Sequence, residues 1–176
     1  MRIVRIPRER VGVLIGKNGE TKKAIEDLSH VTLEIDSEEG DVVFNEADAR
    51  DPLWALKVED VIKAIGRGFS PEHAFRLFGE EMELFIFDIY EYVGKKESHV
   101  TRLKSRVIGR DGKTKRVFER LTGSTLAIYG HTVGVIADFD SMDVTRKALD
   151  MLLSGSEHPT VYRFLEREMK RLRIGR

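Results

Sequence analysis

The 176-residue sequence predicts an α+β protein made of two tandem copies of one small module. Three observations carry this. "IGKNGETKKAIEDLSHVTLEI" (15–35) aligns without gaps to "IGRDGKTKRVFERLTGSTLAI" (108–128), and ten of the 21 positions are identical. Such self-similarity marks a repeated structural unit. Around each copy the apolar spacing switches between the period of two of a strand and the 3.6 of a helix. The chain is also long enough for two units, each burying a modest core of its own.

Each copy reads as strand, helix, helix, strand, strand, helix. In the first, "RIVRIP" alternates as a strand, and Arg8 to Ile15 forms a short helix that stops at Gly16. A second helix follows from Glu20, with Ala24, Ile25 and Leu28 at helical spacing. "VTLEI" and "VVFN" are strands on either side of a "SEEGD" turn. Asp51 and Pro52 then open a long helix, the aspartate as N-cap and the proline where a missing N–H costs nothing. In the second copy the strand is Glu83 to Tyr92, and helices run from near Ser98 to Ile108 and onward from Gly112. "STLAIY" and "TVGVIA" are strands, and the long helix starts near Ser141. Ser70-Pro71 opens and Gly79 closes a linker helix, and a basic helix follows Pro159. The expected domains are residues 1–68, a linker helix at 69–80, and 81–176 with an extra C-terminal helix.

Composition narrows the function. The chain has no cysteine, which excludes disulfides, thiolate nucleophiles and cysteine-ligated zinc. Apolar runs such as Leu84 to Ile89 are far shorter than the ~20 residues of a membrane span. The N-terminus carries charges through its apolar part and reads as no signal peptide, so a cytoplasmic protein without a membrane partner is expected. His30, His73, His99, His131 and His158 are scattered, without metal-ligand spacing. No nucleophile, base and orienting group come together, so the expectation is a protein that is not an enzyme, with no metal and no cofactor. The formal net charge is zero, yet residues 1–80 hold 12 basic and 16 acidic side chains while residues 81–176 hold 18 and 14. Lys95 to Arg120 alone carries ten basic residues against three acids, the footprint of a nucleic-acid binder.

The repeated corner holds the strongest signal. Gly16-Lys17-Asn18-Gly19 and Gly109-Arg110-Asp111-Gly112 stand where one helix hands over to the next. Glycine weakens a helix, so something at this corner demands it. The following helix begins with N–H groups that lack partners and attract an anion, of which phosphate is the obvious one. A left-handed Gly16 closes the first helix, and a bare Gly19 lets a polymer backbone come close. Lys17 and Arg110 add positive charge at the same point. Strand-helix-GXXG-helix-strand-strand-helix resembles the KH domain in its type I, eukaryotic-type topology, whose GXXG loop clamps about four single-stranded nucleotides.

The third residue after the loop is usually aliphatic in KH domains; here it is Lys22 in one copy and Lys115 in the other. "GKTKRVFERLTGSTLAIYGHTVGVIADFD", preceded by "GFSPEHAFRLF" and followed by "HPTVYRFLEREMKRLR", resembles the Dim-two or Partner-of-Nob-one family of small-subunit ribosome assembly factors in its archaeal form. That resemblance implies binding of single-stranded small-subunit ribosomal RNA near its 3′ end. It also implies contact with the rRNA-maturing endonuclease of the Nob-one type and with the alpha subunit of archaeal initiation factor two. The expected RNA-binding residues are Gly16, Lys17, Asn18, Gly19, Lys22 and Lys23 in the first copy. In the second they are Arg102, Lys104, Arg106, Gly109, Arg110, Asp111, Gly112, Lys113, Lys115 and Arg116. The more basic second copy is expected to bind more tightly. The alternative is a protein-interaction scaffold whose KH folds bind RNA weakly. Trp54, Phe75, Phe78, Phe85 and Phe87 read as core, and the final helix, where Glu166 and Glu168 interleave the arginines, as mainly structural or as a secondary phosphate contact.

Overall fold

A computed structural model describes residues 1–175. The chain divides into two compact units, one ending at Glu80 and the other beginning at Glu81. The first contains β1 (Arg2–Arg5), α1 (Arg8–Ile15), α2 (Glu20–Ser29), β2 (Glu34–Ile35), β3 (Asp41–Phe44), α3 (Pro52–Gly66) and α4 (Pro71–Ala74), which continues as a 3₁₀ turn over Phe75–Phe78. Its antiparallel sheet has the order β1-β3-β2. Leu14, Ile25, Leu33, Val42, Phe44, Val58 and Ile62 are buried. Asp51 caps α3 by accepting from the Trp54 N–H, and Ser70 caps α4 by accepting from the His73 N–H.

The strand expected over "VTLEI" shrinks to Glu34–Ile35. Glu34 pairs with Val43 and Ile35 with Val42; β3 ends at Phe44 and residues 46–48 turn as a 3₁₀ helix, so Val31 and Thr32 face no strand. The Leu33 N–H is taken instead by the Glu26 carboxylate at 2.8 Å.

The second unit contains β4 (Met82–Asp88), α5 (Tyr90–Val93), α6 (Glu97–Ile108), α7 (Lys113–Thr122), β5 (Thr125–Tyr129), β6 (Thr132–Asp138), α8 (Phe139–Leu153) and α9 (His158–Ile174). Its antiparallel sheet has the matching order β4-β6-β5. The strand expected to reach Tyr92 stops at Asp88, because its partner β6 begins opposite at Thr132. Asp88 then accepts the Tyr90 N–H at 2.9 Å and starts one helical turn, ended by Gly94 at φ 73°. α8 starts two residues earlier than its sequence signal, since Asp138 accepts from the Ser141 N–H and so caps it. The core joins Phe87, Val133 and Val135 of the sheet to Leu103, Val107, Phe118 and Leu149, and α9 adds Val161 and Leu165.

Of the aromatics assigned to the core, only Phe87 is fully inside. Trp54 is half-buried and stacks on Phe78, centroids 5.4 Å apart, with Phe75 behind at 5.7 Å. This cluster fastens α4 and its 3₁₀ extension to α3, helped by Lys57 donating to the Phe78 carbonyl at 3.0 Å. Phe85 meets Phe87 edge-on at 4.9 Å and carries the Arg146 guanidinium 3.7 Å above its ring.

Candidate nucleic-acid interface

The two glycine corners have the same backbone. Gly16 lies at φ 76°, ψ 173° and Gly109 at φ 76°, ψ 172°; Asn18 and Asp111 have φ 54° and 53°; Gly19 and Gly112 are left-handed at φ 75° and 76°. Asn and Asp tolerate that region best after glycine, which accounts for the residue type at the third loop position. The first glycine is not the left-handed stop expected of it. Its positive φ goes with an extended ψ, a region that is essentially glycine-only. Its Cβ would also lie 2.4 Å from Thr21 Oγ1 at Gly16 and 2.3 Å from Thr114 Oγ1 at Gly109. At Gly19 a Cβ would meet nothing within 4 Å, and at Gly112 only the flexible end of Arg116 at 3.1 Å. One glycine of each pair is thus required by packing, while the other leaves the loop surface bare.

Neither α2 nor α7 has a side-chain cap at its N-terminus. The first amide of each is taken within the loop, Glu20 N–H by the Lys17 carbonyl and Lys113 N–H by the Arg110 carbonyl, and the positive end of each helix dipole stands behind the loop, where an anion is stabilised. Lys17, Asn18 and Lys23 are exposed around the first corner, and Arg110, Asp111, Lys113 and Arg116 around the second. Arg116 folds back to donate to the Asp111 carbonyl at 2.6 Å, bracing the second loop.

Three further expected contacts have structural partners as well. Lys22 pairs with Glu26 at 3.7 Å, and Lys115 with Glu119 at 3.2 Å. The same carboxylates accept the N–H of Leu33 and of Leu126, so the unusual lysine belongs to a tie between helix and strand. Arg106 donates to the carbonyl oxygens of Leu152 and Ser156 and so closes the C-terminal end of α8.

Arg102, Arg106, Gly109, Arg110 and Lys113 come together on one side of the second corner and line an open groove of about 700 Å³. Lys104, Lys115 and Arg116 lie outside it. Its other wall is α9, through His158, Pro159 and Tyr162, residues that sequence reasoning left without a role. Their signal was the aromatic pair four residues apart, on one face of a helix. Tyr162 is held by a 2.9 Å hydrogen bond between its hydroxyl and Thr114 Oγ1, and the His158 ring donates from Nε2 to the Arg106 carbonyl at 3.0 Å. Among the described residues no group of His, Asp and Glu is arranged to hold a metal, and no helix is long and apolar enough to cross a membrane.

Two β-α-α-β-β-α units with a glycine-bounded loop between their first two helices define a tandem type I KH protein. Residues 83–170 match the family model for the second KH domain of PNO1, a eukaryotic-type KH domain (KH-domain type I), and residues 1–49 match the KH-domain model. A KH domain-containing protein of Methanocaldococcus jannaschii is 42% identical over 174 residues, 99% of this chain and 76% of that one. The RNA-binding protein PNO1 of Oryzias latipes is 30% identical over 116 residues, 65% of this chain; the chain spans 48% of that protein's length. A chain in the crystal structure of the a/eIF2alpha-aDim2p-rRNA complex from Pyrococcus horikoshii OT3 superposes with a TM-score of 0.89 at 40% identity, covering 97% of this chain and 94% of that one. The chain belongs to the archaeal Dim2/PNO1 family of RNA-binding KH proteins.

Proposed function

We propose that this protein is a non-catalytic factor that holds single-stranded small-subunit ribosomal RNA near its 3′ end during ribosome assembly, and that it recruits the endonuclease maturing that end. The alpha subunit of archaeal initiation factor two is a further partner. One observation carries the RNA part of this reading: two uncapped helix starts stand behind loops of matching, glycine-bounded backbone. Arg110, Lys113 and Arg116 are exposed around the second. A helix dipole with cations beside it selects a phosphate, a bare loop admits a backbone, and neither reads a base, which is how a KH loop positions a strand. The Pyrococcus horikoshii Dim2p complex with rRNA and a/eIF2alpha supports the choice of RNA and of the initiation-factor partner. The endonuclease rests on the family resemblance of the sequence.

Filter-binding titration with a single-stranded oligoribonucleotide of the rRNA 3′ end, at two salt concentrations, tests the reading. Neutralising four or five phosphates of a single strand gives a log-log slope of roughly −3 to −3.5. Gly112→Asp places a carboxylate in the open loop, where the added Cβ meets only the end of Arg116, and should remove most of the binding while the fold survives. Equal affinity for the same sequence as a duplex, or an affinity indifferent to salt, overturns the reading. Recruitment is tested by capture of the endonuclease on immobilised rRNA, which should rise when this chain is added; capture that is unchanged by adding it overturns the recruitment.

A further inference from the structure

We propose that the groove between the second glycine corner and α9 is an additional nucleotide subsite, which takes one unpaired nucleotide continuing the strand clamped by that corner. The inference rests on the RNA-binding reading above. A generic KH unit ends with its third helix; here α9 follows α8 and builds a wall opposite Arg102, Arg110 and Lys113.

The repeat supplies an internal control. Under the 93-residue offset, Arg102 stands where the first copy has Glu9, Arg106 where it has Val13, and Lys113 where it has Glu20, whereas Gly109 and Thr114 match Gly16 and Thr21. The residues that build the corner are shared. Those that face α9 have changed to cations, and only this copy has an α9 to face. Among the described residues no carboxylate lines the groove.

The chemistry suits a nucleotide. A groove of about 700 Å³ lies within the ordinary range for small-molecule sites of roughly 300–1,000 Å³. Tyr162 and His158 are fixed by hydrogen bonds to Thr114 and to the Arg106 carbonyl, with their rings 6.1 Å apart and steeply inclined. Together with Pro159 they form a rigid apolar wall against which a base stacks, and base stacking of this kind tolerates any sequence. Arg102 and Lys113, both exposed on the facing wall, take the phosphate. Arg106 is already engaged with two backbone carbonyls, so it contributes fixed positive charge rather than a mobile contact.

The test measures, on the full-length protein, the affinity of a four-nucleotide single strand and of the same strand lengthened by three nucleotides at its 5′ or its 3′ end. One of the two extensions should gain about tenfold, the worth of one stacked base with a phosphate contact. In Arg102→Glu that gain should fall to about threefold or less, and in Tyr162→Phe, which keeps the ring, it should persist. A photoreactive 4-thiouridine placed at the first added nucleotide should cross-link to the peptide holding His158 to Tyr162. The proposal is overturned if neither extension gains affinity, if Arg102→Glu keeps the full gain, or if the cross-link falls elsewhere. Failure of the four-nucleotide strand to bind at all sinks the RNA-binding reading itself, and is a different result from a missing gain.

Discussion

Gly109 and Gly112, three residues apart in one loop, differ in what their missing side chains leave room for. An added Cβ at Gly109 would lie 2.3 Å from Thr114 Oγ1 and 2.7 Å from its N, in a backbone at φ 76°. Gly109→Ala is expected to cost about 3 kcal/mol, strain and overpacking together. Gly112→Ala adds a methyl that meets only the flexible end of Arg116, at 3.1 Å, in a left-handed turn and should cost only about 1 kcal/mol. Urea denaturation of the two variants checks the order, and equal losses would contradict the packing argument. Asp60 and Glu59 make a second contrast. Burial pushes the Asp60 carboxyl above the ordinary carboxylate range, while the hydrogen bond from Lys63, followed by that from Arg2, holds Glu59 below it. For Asp60 the ionised form is the one penalised by folding, so stability falls as pH rises from its unfolded pKa through its folded pKa. For Glu59 stability is present above the unfolded pKa and is lost as pH falls through the depressed folded value. Asp60→Asn should therefore raise the thermal midpoint at neutral pH, and the advantage should vanish below about pH 4, where the unfolded aspartate is itself protonated. A gain of the same size at pH 3 and pH 7 would show that burial of the charge is not its cause.

At the scale of the element, the lysine that sets this chain apart from the generic KH pattern finds its explanation in a helix-to-strand tie. Glu119 on α7 accepts the Leu126 N–H of β5 at 3.0 Å while pairing with Lys115 at 3.2 Å, and Glu26 does the same for Leu33 and Lys22. Strand β5 is an edge strand, and the Leu126 amide that the ladder leaves over is satisfied by the helix. Glu119→Ala strands that amide and should destabilise the second unit by about 2 kcal/mol. Glu119→Gln keeps the acceptor oxygen, loses only a partly exposed ion pair, and should cost less than about 1 kcal/mol. Amide hydrogen exchange at Leu126 distinguishes the two, faster in the alanine variant and little changed in the glutamine one. If both exchange alike, the carboxylate is not what holds the strand.

At the scale of the whole molecule, the two copies share a backbone corner and differ in the charge around it. The first half carries 12 basic and 16 acidic residues and the second 18 and 14. Affinity for a polyanion follows the number of phosphates neutralised, so the second corner should supply most of it. Arg110→Asp is expected to weaken RNA binding by about tenfold or more, and Lys17→Asp by about threefold or less. Equal losses, measured in one buffer, would refute the asymmetry and make both loops equal clamps.

The sequence by itself determined the repeat, the order of elements in each copy, the glycine corners and the segregation of charge. Each of these depends on neighbouring residues: a φ that only Gly, Asn or Asp adopts readily, an apolar period, a cap next to its helix. Strand ends were less legible. β4 stops at Asp88 because its partner strand begins at Thr132, and Val31 and Thr32 fall outside β2 because β3 ends at Phe44; both limits belong to the sheet rather than to the strand. Only the tertiary structure decided the fate of Arg106, which looks like Arg102 in sequence but reaches the Leu152 carbonyl 46 residues away; Lys22 and Lys115 pair four residues along their own helices, a spacing the sequence already holds. The tertiary structure also decided the α9 groove, whose hydrogen bond between Tyr162 and Thr114 spans 48 residues. Residues that far apart in the chain meet through burial of a shared core, and no local pattern records that.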